Sequence, residues 1–165
     1  MPSEINSRHS NLIKILLKIP VPWVFILTYL LGLAFQFIFP THILSPDYLI
    51  YIKILGGILF LLGVTLASWS LIIFSKAQTT TTPGESSRKL VTYGPYRFSR
   101  NPMYVSLTLA YLGEAFFLIQ LWPVIFLPLM LAYVTRVVIP LEEEILARDL
   151  KEEYNSYSAR VSRWL

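Results

Sequence analysis

The chain has 165 residues, with 14 Lys or Arg against 10 Asp or Glu and a formal charge of +4. Apolar residues make up 55% of it and charged residues only 15%, and the mean hydropathy is +0.56, whereas a soluble domain carries about a quarter charged residues. This composition excludes an ordinary soluble globule and a disordered chain, and the absence of cysteine excludes disulfides, thiolate nucleophiles and Cys-ligated metals.

Charges are missing over stretches of bilayer scale. Ile19 to Ile52 holds only Asp47, Ile54 to Ser75 holds none, and Pro102 to Thr135 holds only Glu114. A spanning helix takes about 20 mostly apolar residues. The pattern therefore predicts spans at 20–39 and 48–74, and Gln120, Trp122 and Pro123 split the third stretch into a tight hairpin of 102–120 and 123–140. Lys14 and Lys18 precede the first span as in a signal peptide, but no small-residue cleavage site follows it, so the helix is expected to be retained. Glycines 56, 57 and 63 in the second span point to close helix packing. Trp23, Tyr48, Tyr51 and Trp122 near the span ends fit an interfacial aromatic belt. The fold class is all-α: an integral membrane helical bundle of about four transmembrane helices in one domain, 1–165.

Basic residues sort to one side. Arg8, Lys14 and Lys18 precede the first span; Lys76, Arg88, Lys89, Arg97 and Arg100 lie between the second and third; Arg136, Arg148, Lys151, Arg160 and Arg163 follow, and only Lys53 falls opposite. The positive-inside rule then places both termini and the long middle loop in the cytoplasm, at the plasma membrane if the source is prokaryotic. Topology and anionic headgroups account for the basic excess without any nucleic-acid partner. From Gln78 to Lys89 four threonines, Pro83, Gly84 and two serines mark a loop. After Pro140 the residues Leu141, Ile145, Leu146, Leu150, Tyr154, Tyr157, Val161 and Trp164 recur at helical spacing, which predicts a C-terminal amphipathic cytoplasmic helix.

Polar residues form two blocks flanking the predicted hairpin, Tyr93 to Tyr104 and Glu142-Glu143-Glu144, and the hairpin brings both to one mouth. Asn101-Pro102 reads as an N-cap followed by proline at the first helical position. The free N–H groups of that turn, beside Arg97 and Arg100, make an expected anion site. Opposite stand carboxylates suited to ribose hydroxyls or an ammonium group, with Glu144 read as solvated. Glu114 is a costly carboxylate within a span, for which a functional and a structural role weigh equally. His9 and His42 have no second ligand, and no metal is expected.

The ordered blocks Gly94-Pro95-Tyr96-Arg97, Ser99-Arg100-Asn101-Pro102-Met103-Tyr104, Glu142-Glu143, Tyr154-x-x-Tyr157 and Val161-x-Arg163-Trp164 resemble the isoprenylcysteine carboxyl methyltransferase family. The resemblance covers about residues 76–165, the methyltransferase-like part of the chain. It implies S-adenosylmethionine as cofactor, held among Tyr96, Arg97, Arg100, Asn101, Pro102, Tyr104, Glu142 and Glu143. It also implies a lipophilic or lipid-modified acceptor entering sideways from the bilayer. Glu143 and Arg136 are the expected catalytic residues, Arg136 as the arginine that orients a carboxylate acceptor. Arg160, Arg163 and Trp164 either close the site as a flap or anchor the tail. Two departures stand out. Asn101 occupies the place of a histidine in better-known members, the asparagine version resembling prokaryotic-type relatives, and an asparagine caps and hydrogen-bonds but cannot act as a base. The family's phenylalanine-glycine pair in the tail is here Leu150-Lys151, a change expected to affect packing. Two other readings are an NADPH-dependent enzyme like the membrane sterol reductases, and a non-catalytic lipid-binding or scaffold protein.

Overall fold

The computed structural model describes residues 20–41, 46–77 and 90–165; Arg8, Lys14, Lys18, both histidines and the loop expected from Gln78 to Lys89 lie outside the described residues. These fold as helices without strands. We name them α1, Val21–Ile38; α2, Pro46–Ala77; α3, Pro102–Phe117; α4, Leu121–Tyr133; and α5, Ile139–Ser158. A 3-10 turn at Gly94–Arg97 leads towards α3, and a π turn at Val134–Val138 carries α4 into α5.

Three helical stretches are long and apolar enough to cross a membrane: Val21–Ile38, Tyr48–Ala77 and the continuous Leu121–Ser158, of which the apolar, spanning part ends at Leu141, before Glu142-Glu143-Glu144. The hairpin helix expected at 102–120 is shorter. α3 has 16 residues, about 24 Å at the helical rise, against a hydrocarbon core of about 30 Å. It stops because Leu118 N–H bonds Glu114 O, Ile119 N–H turns back to Phe116 O, and Gln120 N–H reaches Ala115 O, with Ile119 at φ 55. The expected helix end at residue 140 also moves. Pro140 sits at the start of α5 directly after the π turn, whose wider bonding, Ile139 N–H to Val134 O, carries the helix past a residue that has no N–H, so the spanning helix runs on past the expected boundary towards the polar residues. α2 has 32 residues, about 48 Å, and its last turns overshoot the apolar core to stand beside Tyr96, with the Phe74 and Tyr96 rings 5.3 Å apart.

α2 and α3 run antiparallel in backbone contact. A Cβ added at Gly63 would lie 2.6 Å from Ala110 N, and one added at Gly56 would lie 2.7 Å from Gly113 O. Gly57 is not part of this crossing, since its nearest neighbour is Phe117 Cδ2 at 3.9 Å. α1 packs on α4, with Gly32 against Pro123. Gln36 Oε1 accepts the Leu121 N–H at 3.1 Å, and Tyr29 OH donates to Gln120 Oε1 at 2.8 Å. Polar groups at the outer turn thus pair internally, as a bilayer requires. The main core joins Phe25 and Tyr29 of α1 to Tyr111 of α3, Met130 of α4, Val134 of the π turn and Ile139 of α5. Glu114 is exposed on α3.

α5 is not one straight amphipathic helix. Lys151 adopts φ 43, ψ −116, close to the first central position of a type II′ turn, which glycine favours. The Leu150-Lys151 departure therefore acts on the backbone and not only on packing. Beyond the bend the chain folds back, burying Tyr154 and Tyr157. Relief of about 1–3 kcal/mol of strain exceeds the roughly 0.5–1 kcal/mol that glycine's extra freedom costs. Lys151→Gly is thus expected to raise the unfolding temperature in detergent; a thermal-shift measurement showing a fall would place the strain elsewhere.

Candidate functional site

The site is built at the end of the bundle where α2 finishes, α3 begins and α5 leaves the spanning region. Gly94 takes φ 65, and a Cβ there would collide with Ile73 of α2, so glycine is required for the turn to lie on the helix. That turn buries Tyr96 to 6% exposure, and Tyr157 OH donates to the Tyr96 carbonyl at 2.7 Å. Buried Ser99 accepts the Asn101 N–H at 3.0 Å and donates to the Arg163 carbonyl at 3.2 Å.

Asn101 holds the N-cap position and Pro102 the first helical position, but the Asn101 side chain makes no cap. Its Nδ2 donates instead to the Arg163 carbonyl at 3.0 Å. The N–H groups of Tyr104 and Val105 both bond the Asn101 carbonyl, and Pro102 has none. Only the Met103 N–H of the first turn is left, so the expected anion site loses most of its main-chain donors.

The carboxylates divide their work. Glu143 accepts from Arg100 Nη1 at 2.9 Å and from Arg163 at 2.6 Å through Nη2 and 3.1 Å through Nε. Both of its oxygens are therefore committed to arginines. Arg100 Nη1 also donates to Tyr154 OH at 3.1 Å. Glu142, beyond the spanning part of the helix, has one protein donor among the described residues, Tyr104 OH at 2.6 Å to Oε1. Burial pushes the Glu142 carboxyl up to about 7, and the Glu143 charge adds to this while the Tyr104 hydrogen bond opposes it. Burial also pushes Tyr157 up to about 12 and raises Tyr96 and Tyr154, so all three stay protonated near neutrality.

A cavity between these elements is lined by Tyr96, Arg100, Asn101, Glu142, Glu143, Leu146, Tyr154 and Tyr157, with an apolar wall of Phe74, Leu90 and Val91. Two buried polar atoms on lining residues, Tyr96 OH and Arg100 Nε, have no partner among the described residues. Of the expected site residues, Tyr96, Arg100, Asn101, Glu142 and Glu143 come together here, and Tyr104 reaches the cavity through Glu142. Pro102 is buried in the helix start without lining the cavity. Arg97 is exposed outside it, and Arg136 is exposed on the π turn, also outside it. Glu144 is exposed, as expected. Tyr154, Tyr157 and Arg163 join the site although sequence reasoning named them only as family blocks or a possible flap. Among the described residues no group of three His, Cys, Asp or Glu side chains is arranged to hold a metal.

No curated protein and no solved structure matches the chain. A family model described as phospholipid methyltransferase matches residues 51–153, well over half of the chain, from the first turns of α2 past Glu142 and Glu143 to just beyond the bend at Lys151. The family includes membrane methyltransferases of the isoprenylcysteine carboxyl methyltransferase-like kind, in agreement with the motif resemblance and against the reductase and scaffold readings. With its apolar helices and this match over the cavity-forming elements, the chain belongs to the phospholipid methyltransferase family and is a membrane methyltransferase.

Proposed function

We propose that the cavity binds S-adenosylmethionine and that the enzyme, through residues 76–165, methylates a lipophilic acceptor that enters from the bilayer. The observation that carries this reading is the convergence of five motif residues on one cavity that holds unpartnered donors and a half-free carboxylate. Both chain ends and the site then face the cytoplasm, where this cofactor is available. The cofactor would supply a methyl group on a cationic sulfonium, transferred by in-line displacement, which asks the protein to align and to exclude water.

The chain's residues suit such a ligand. Tyr96 OH and Arg100 Nε–H are buried donors that need an acceptor, and leaving them empty costs about 1–3 kcal/mol each. Glu142, held by Tyr104, offers a carboxylate to cationic groups. Glu143 keeps Arg100 in place, and Asn101 joins that wall to the tail. Pro102 acts by starting α3, and Arg97 draws anionic species to the mouth. Arg136, exposed on the π turn between α4 and α5, orients the acceptor. Apolar Phe74, Leu90 and Val91 form the wall against which a greasy acceptor would lie.

Glu142 gives the reading a pH signature. Its carboxyl titrates at about 7, so affinity for a cationic ligand rises as pH passes upward through 7, and Glu142→Gln flattens that profile. Stability runs the opposite way. The folded protein holds the proton more tightly than the unfolded chain, so stability falls between the ordinary carboxyl range and about 7.

The test is calorimetric titration of the detergent-purified protein with S-adenosylmethionine and, separately, NADPH, followed by an acceptor screen with a prenylated cysteine and phosphatidylethanolamine. Saturable S-adenosylmethionine binding weakened at least about tenfold in Glu142→Ala supports the proposal. Binding of NADPH alone, or of neither ligand, overturns it.

A further inference from the structure

Residues 159–165 bridge two elements that line the cavity. After α5 ends at Ser158, the main chain turns and pairs with the wall in front of α3. The Arg100 N–H bonds the Ser162 carbonyl at 2.9 Å, and Asn101 Nδ2 bonds the Arg163 carbonyl at 3.0 Å. The Arg163 side chain then reaches to the other wall, gripping Glu143 of α5 at 2.6 Å. Trp164, the next residue, packs against the main core. One short segment thus ties together the two sides of the cavity, main chain on one and guanidinium on the other.

We propose that residues 159–165 are a strap that closes the cavity, with Arg163 as its releasable fastener, and that the cavity exchanges its occupant when the strap lifts. Arg163 suits release because its side chain is 43% exposed, whereas Arg100, on the same carboxylate, is 15% exposed. Breaking the outer ion pair leaves Glu143 still neutralised by Arg100, so opening strands no buried charge. Upstream of the strap Tyr157 stays bonded to the Tyr96 carbonyl at 2.7 Å and Tyr154 to Arg100 at 3.1 Å, so the segment has a fixed root at the end of α5 from which to lift. Arg163 is in this scheme a positioning residue, acting through Glu143. Asn101 acts through the strap's main chain, and this assigns its side-chain amide a use as a hydrogen-bond donor.

The proposal rests on the cavity being the cofactor site, and its first test needs no ligand. Hydrogen exchange on the full-length protein in detergent is compared among wild type, Arg163→Gln, Arg163→Lys and Asn101→Asp. In Asn101→Asp an oxygen would face the Arg163 carbonyl in place of the donor. Exchange of the Arg100 amide and of residues 159–165 is expected to quicken about tenfold in Arg163→Gln, the loss of one forked ion pair. Asn101→Asp is expected to match it and Arg163→Lys to fall between. The second test is stopped-flow binding of S-adenosylhomocysteine, where a strap makes association and dissociation faster together by a similar factor in Arg163→Gln. Unchanged exchange overturns the strap, as does a change in dissociation alone, which would mark Arg163 as a ligand contact. If the wild type binds no S-adenosylhomocysteine, the cofactor reading falls and the exchange data alone judge the strap.

Discussion

Gly113→Val is expected to leave little folded protein after detergent extraction. A Cβ at this position meets the Phe60 N–H group, the Gly56 carbonyl at 2.7 Å and Phe60 Cα at 2.8 Å. All three are backbone atoms of α2 and cannot swing aside as a side-chain tip would, so α3 must move away bodily. That movement also opens the contacts around Gly56 and Gly63 on the same face. Overpacking costs about 1–3 kcal/mol where a core can adjust; here the loss lies at the upper end or beyond, a large share of the roughly 5–15 kcal/mol that holds a protein folded. Helices in a bilayer associate through close packing of small residues and gain nothing from hiding apolar surface from lipid. The measurement is the monodisperse fraction on size exclusion together with the thermal transition. Gly57→Val is the control, because its Cβ meets only Phe117 Cδ2 at 3.9 Å. Equal behaviour of the two variants would show that backbone contact between α2 and α3 does not hold the bundle.

How far the sequence disclosed this arrangement depends on the range of the force involved. Spans are legible because bilayer thickness imposes charge-free stretches, and α1 and α2 fall close to where those stretches lie. The end of α3 is not legible, since Leu118 and Ile119 carry no turn signal and Ile119 is driven to positive φ by closure onto α4. The continuity of α4 into α5 is likewise hidden, because Pro140 reads as a terminator and nothing in the sequence marks the π turn that carries the helix past it. Within the site, Tyr96, Arg100, Asn101, Glu142 and Glu143 are legible as blocks of residue types. Their partners are not. Whether Glu143 holds a ligand or two arginines depends on the tail folding back at Lys151, a long-range event. Only the missing family glycine at that position could have signalled it. Phe74, Leu90 and Val91 were undetectable for a simpler reason: an apolar residue in an apolar neighbourhood carries no mark of lining a cavity.

Glu143→Ala should separate the site from the rest of the fold. The carboxylate is 16% exposed and its inner partner Arg100 15%, so deleting it leaves a mostly buried guanidinium without its counter-charge. Removing one partner of a buried pair costs about 3–5 kcal/mol, and the outer Arg163, at 43% exposure, adds little because water screens it. The expected loss of stability is therefore about 3 kcal/mol, carried almost wholly by Arg100. The effect on the ligand is separate. The cavity changes from balanced to net positive, and one unneutralised charge at about 6 Å with an effective dielectric near 20 repels a cationic ligand by about 2–3 kcal/mol, roughly a hundredfold in affinity. Glu143→Gln distinguishes the two effects. The amide oxygen still accepts from Arg100, so part of the stability returns, but the charge does not, and binding of S-adenosylmethionine stays weak. Thermal shift and calorimetry on the three proteins read both quantities, and full affinity in Glu143→Gln would show that the carboxylate organises its arginines by hydrogen bonding alone, without setting the cavity's charge.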